Sequence, residues 1–140
     1  MEKLKILVAD DHTVVRMGLS ALLDMQRDMH VVGQAKNGKE AVEEALRLKP
    51  DVVIMDLMMP VMDGTEATRK IREQLPKTNV VILTTYTTTD GIAAALDSGA
   101  KGAVFKLERM YGLTGKQEVT VSAAGSVEEY LRGLGGTAEY

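Results

Sequence analysis

The sequence predicts an α/β fold, a five-stranded parallel sheet wound on both faces by helices. Three observations point to it. Short apolar runs of strand length recur along the 140 residues. Stretches with helical spacing lie between them. Caps and breakers punctuate the junctions, giving the order β-α-β-α-β-α-β-α-β. Strands alternating with helices imply right-handed crossovers and a parallel sheet.

The first strand is Ile6-Leu7-Val8-Ala9, a continuous apolar run of the kind buried on both faces. A helix from about Thr13 to Gln26 follows, with Val15, Leu19, Leu22 and Leu23 on one face. The weaker run Val31-Val32-Gly33 fits an edge strand. Asn37 caps a second helix, with Glu40 three residues on and Val42, Ala45 and Leu46 as its apolar stripe. Pro50 closes that unit, and Val52-Val53-Ile54-Met55 is the third strand. Asp63 and Glu66 open a third helix carrying Ala67, Ile71 and Leu75, and Pro76 ends it. Val80-Val81-Ile82-Leu83 is the fourth strand. A helix from about Thr89 to Ser98 stops at Gly99, a residue suited to a left-handed C-terminal cap. Ala103-Val104-Phe105 is the fifth strand.

Composition narrows the function. Lys and Arg total 17 against 20 Asp and Glu, so the net charge is −3 and no basic stripe for nucleic acid is expected. There is no Cys, which excludes disulfides and thiolate metal sites. The N-terminus lacks the longer apolar region of a signal peptide, and no apolar run nears the ~18 residues of a membrane helix. The expectation is a cytoplasmic globular domain with no membrane contact.

In a parallel sheet, ligands bind at the carboxyl ends of the strands. Asp10 and Asp11 follow the first strand, Asp56 the third, Thr84 the fourth and Lys106 the fifth. Singly these residues have ordinary explanations: a helix cap, a β-former, a solvated lysine. Together they form a constellation. Three carboxylates packed side by side are costly unless a cation neutralises them. Mg²⁺ suits such a site, because it prefers oxygen ligands and binds one or two carboxylates with water and phosphate. A carboxylate is also a competent nucleophile for an acyl phosphate.

These residues resemble the receiver domain of two-component response regulators. Ile6 to His12, with Arg16, Gly18 and Leu19, is similar to the opening of the subgroup that usually carries a LuxR-type helix-turn-helix. Asp51 to Gly64 is similar to the phospho-acceptor segment, and Ile82-Leu83-Thr84, Ser98 to Gly102 and Lys106 complete the set. The resemblance covers about residues 3 to 107. It implies a flavodoxin-like sheet in strand order 2-1-3-4-5, Asp56 as phospho-acceptor and Asp11 as a direct Mg²⁺ ligand. It further implies that Asp10 acts through water, that the Met58 backbone carbonyl is the third protein ligand, and that Thr84 and Lys106 hold the phosphoryl group. The implied partner is a sensor histidine kinase. His12 is read as loop structure near the site, and His30 as plain surface.

Three departures stand out. The place of the usual switch aromatic, three before the lysine, holds Ala103, and the nearest aromatic is Tyr86. Tyr86 is either a gate over the phosphoryl group or a half-exposed loop residue. Leu107 stands where proline often follows the lysine, so a trans peptide is expected. The usual fifth helix is missing from residues 107–125, which read as a poor helix by their glycines and β-branched residues. The domain boundary is therefore drawn as a receiver core over 1–107 and an atypical segment over 108–140. That segment holds one short helix near 126–134, opened by Ser126 and Glu129 with Val127, Tyr130, Leu131 and Leu134 at helical spacing. The bare sheet face is covered either by that helix folding back or by a partner chain in a homodimer. A faint likeness of the tail to a LuxR-type output domain, around Leu113-Thr114 and Ala124-Gly125, is insufficient for DNA binding.

The expected function is a phosphorylation-controlled switch. The alternatives are a phosphorylation-independent interaction module and a truncated DNA-binding regulator. An aspartyl-phosphate phosphatase of the haloacid-dehalogenase type would need an acid/base Asp two after the nucleophile, where this chain has Met58.

Overall fold

A computed structural model describes residues 2–84, 89–105 and 131–132 of the chain. The strands are β1 (Leu4–Ala9), β2 (Met29–Ala35), β3 (Val52–Asp56), β4 (Asn79–Thr84) and β5 (Gly102–Phe105). The helices are α1 (Thr13–Asp24), α2 (Gly38–Leu48), α3 (Gly64–Gln74) and α4 (Thr89–Asp97). The sheet runs β2-β1-β3-β4-β5 with every pair parallel, so the order changes direction at β1 and β3. This is the predicted doubly wound, flavodoxin-like fold.

Alternation along the central strands divides the core in two. Leu7, Ala9, Val53, Met55, Val80 and Ile82 face one side, where Ala41 and Ala45 of α2, Ala67 and Ile71 of α3, and Ile92 and Ala95 of α4 cover them. Ile6, Val8, Val52, Ile54, Val81 and Leu83 face the other, against Leu19 and Leu23 of α1. Ala103 is buried on the first side.

The predicted caps form. Asn37 Oδ1 accepts from the Glu40 N–H at 2.8 Å, and Asp63 Oδ1 from the Glu66 N–H at 2.9 Å. Gly99 takes a left-handed φ of 115° after α4. Among the boundaries that differ, two are instructive. Helix α1 ends at Asp24, where the side chain turns outward and accepts the Val31 N–H at 2.8 Å. Strand β2 is longer than the run Val31-Val32-Gly33, because an edge strand exposed on one side carries polar residues such as His30 and Gln34 that dilute its apolar signal. His30 also has a companion: its Nδ1 lies 3.3 Å from Asp24 Oδ1.

The tail contributes two described residues, both helical. Leu131 is fully buried among Leu19, Leu23, Met29 and the β1 and β3 side chains. Arg132 donates from Nε to Asp28 Oδ2 at 2.7 Å and from Nη2 to Gln26 Oε1 at 3.0 Å. Leu131 thus covers part of the face expected to be bare. The predicted fifth-helix gap over 107–125, the rest of the 126–134 helix and the Lys106–Leu107 peptide lie outside the described residues.

Candidate functional site

The change of direction between β1 and β3 opens a crevice at their carboxyl ends. Register pairs Ala9 with Met55, which brings the next residues, Asp10 and Asp56, to the same edge. Asp10 is fully buried and Asp56 nearly so, while Asp11 is half-buried and His12 exposed. One ligand atom from each of these four residues lies within 4.8 Å of the others.

Local bonds fix the acids. The Asp10 N–H donates to Ala35 O of the edge strand at 3.0 Å. Its Oδ1 accepts the His12 N–H at 2.8 Å, a turn contact rather than the helix cap an isolated Asp would make. Arg16, one turn into α1, donates from Nη1 to the Asp10 carbonyl at 2.9 Å and from Nε to Gln34 Oε1 at 3.1 Å. The His12 Nδ1 sits 3.3 Å from Asp10 Oδ1 and 3.5 Å from Asp11 Oδ1. The Met58 N–H points at Asp56 Oδ1 from 3.4 Å, and the Met58 side chain is turned to solvent.

The donor set fits a hard divalent cation. It is dominated by carboxylate oxygen, and the Asp11 atom Oδ1 is enclosed without a hydrogen-bond partner in the protein. Burying carboxylates at this separation calls for a compensating charge.

Not every predicted residue can be placed with these. Thr84 ends β4 and pairs with Phe105, so its backbone stands at the same sheet edge. Lys106 follows Phe105 in the chain; it and Tyr86 lie outside the described residues. Sequence reasoning gave His12 no part in the cluster, although its place directly after two aspartates was the available signal. The Arg16 contact with the Asp10 carbonyl was also missed, because it depends on how α1 packs rather than on local pattern.

Comparison with known proteins agrees with this geometry. The family described as "Response regulator receiver domain" matches residues 6–118. The chain is 47% identical over 103 residues to the response regulator protein VraR of Staphylococcus saprophyticus, which covers 74% of this chain and 49% of that protein. The chain thus spans about half the length of the curated relatives it matches. Among solved structures, a LuxR-family two-component response regulator from an Aurantimonas species superposes with a TM-score of 0.71 at 33% identity, covering 75% of each chain. The response regulator domain of Thermotoga maritima CheB gives 0.70 at 33% identity, covering 99% of this chain and 95% of that one.

Proposed function

The chain belongs to the response regulator receiver domain family, and from that premise we propose that it is a phosphorylation-controlled switch whose Asp56 accepts a phosphoryl group from a sensor histidine kinase. The observation that carries the reading is the meeting of Asp10, Asp11 and Asp56 at the carboxyl ends of two neighbouring parallel strands.

A receiver domain is a signalling part rather than a classical enzyme. In the proposed step an Asp56 carboxylate oxygen attacks phosphorus on the donor. An O–P bond forms, the N–P bond of the phosphohistidine breaks, and the departing imidazole nitrogen keeps the electron pair and takes up a proton from water. Nearly complete burial of Asp56 keeps competing water away from the acyl phosphate. Asp11 and the Met58 carbonyl would hold Mg²⁺ together with Asp56, with Asp10 acting through water. When bound, the ion neutralises the carboxylates and offsets charge on the transferring oxygens. Asp10, anchored by Arg16 and the His12 amide, keeps its carboxylate aimed at the cluster. Thr84 and Lys106 are assigned to the phosphoryl oxygens, and Tyr86 to access.

The new group brings about −1.5 to −2 charges to the strand ends. That change biases the neighbouring loops and, through them, an output. The sequence boundary at 107 and a cytoplasmic location belong to the same proposal. So does control of transcription through further sequence, as in LuxR-family relatives. DNA binding by these 140 residues alone is not part of it.

The deciding experiment is intact mass spectrometry after incubation with acetyl phosphate and Mg²⁺. One added phosphoryl group is expected, absent when Mg²⁺ is withheld. An unchanged mass would favour a phosphorylation-independent interaction module.

A further inference from the structure

The loop between β3 and α3 is held in an unusual way. Val61 has a φ of 70°, and the Met62 N–H donates to Pro60 O at 2.7 Å. A bond spanning two residues around a positive φ is the rarer, strained form of γ-turn. A β-branched residue there is an outlier, and such strain persists only where surrounding contacts enforce it. The contacts are visible. Gly64 N–H donates to Leu57 O at 2.8 Å, and a Cβ added at Gly64 would meet Asp56 O at 2.2 Å. Pro60 fixes its own φ, and Met59 is buried.

The remaining contact comes from another element. The Gly38 N–H, first of α2 and without a partner inside its helix, donates to Met62 O at 3.0 Å. A Cβ at Gly38 would lie 2.0 Å from that oxygen and 2.7 Å from the Met62 carbonyl carbon. Both are backbone atoms that cannot rotate aside. Gly38 has no left-handed φ, so glycine is required here by close approach, not by conformation.

We propose that Gly38 is a positioning residue for phosphoryl acceptance: its bare backbone seats the strained turn at Val61 and thereby holds the loop that carries Met58, whose carbonyl is the ligand assigned above. This rests on the reading of the site given above. The stretch from Met58 to Met62 is short, and its proline and tight turn leave little slack. A displacement at Met62 therefore passes back to Met58 instead of being absorbed.

The test uses the full chain and three variants, Gly38→Ala, Pro60→Gly and, as control, Gly18→Ala, whose added Cβ would meet nothing within 4 Å. Mg²⁺ affinity is read by calorimetry and phosphorylation by mass after acetyl phosphate. Gly38→Ala is expected to remain folded by circular dichroism, to bind Mg²⁺ about tenfold more weakly and to phosphorylate more slowly, by analogy with losses of outer supporting groups. Gly18→Ala should match the wild type. Should Gly38→Ala fail to fold, Pro60→Gly, at an exposed position outside the core, frees the φ that the proline ring fixes ahead of the turn and should weaken Mg²⁺ several-fold. Wild-type affinity in whichever of the two variants folds, even with lowered thermal stability, overturns the positioning role alone. Absence of Mg²⁺ binding by the wild type overturns the site reading, and this proposal with it.

Discussion

Asp56 and Asp11 differ in burial, and their replacements should fail differently. Asp56→Asn removes the nucleophile from a nearly closed position while keeping its shape. The expected outcome is a folded protein with no phosphoryl gain in intact mass. Asp11→Asn leaves the nucleophile and removes one charge from the proposed cation site. Mg²⁺ affinity should fall by about tenfold or more, read by calorimetry, with phosphorylation recovering at high Mg²⁺. The acids were legible in the sequence because strand-end placement is a local pattern. Gly38 was not, because its need for a missing Cβ arises only when Met62 arrives from another part of the chain.

Among the elements, the helices with capping residues were read well: Asn37 and Asp63 announce α2 and α3 through their own side chains. The covering of the α1 side was left open between two solutions. Leu131 belonged to a visible helical stripe, yet its partners Leu19 and Leu23 lie on a helix more than a hundred residues earlier, beyond the reach of periodicity. Leu131→Ala should cost about 2–5 kcal/mol in chemical denaturation, as for other fully buried leucines. The neighbouring ion pair gives a pH test. The hydrogen bond from Arg132 holds the Asp28 carboxyl below its ordinary range, against a smaller opposing effect of desolvation. A carboxyl lowered on folding adds stability above its unfolded value and loses it as pH falls through the folded one. Wild type should therefore exceed Asp28→Asn in urea stability near neutrality, and the gap should close below about pH 4.

For the molecule as a whole, every strand pair is parallel and closes over a crossover: Leu4 meets Met29, Ile6 meets Val52, Val52 meets Asn79, Val81 meets Gly102. Wholly non-local pairing of this kind slows folding relative to helical bundles. The pairing of β1 with β3 has a particular result. The two strands are not consecutive: β2 lies between them in the chain and on the outer side of β1 in the sheet, so the acids meet only across a long loop closure. No precursor lacking β3 offers the full set of acids, and an ion held at the proposed site would recognise the finished sheet in preference to the unfolded chain. Ion occupancy and sheet closure are then thermodynamically linked: Mg²⁺ at a hundred times its dissociation constant should raise unfolding free energy by about 2.7 kcal/mol. In Asp11→Asn, with affinity about tenfold lower, about half of that increment should vanish at the same Mg²⁺ level, a difference that thermal melts with and without the ion would reveal. The magnesium level would thus help set what fraction of chains holds the crevice assembled before any signal arrives.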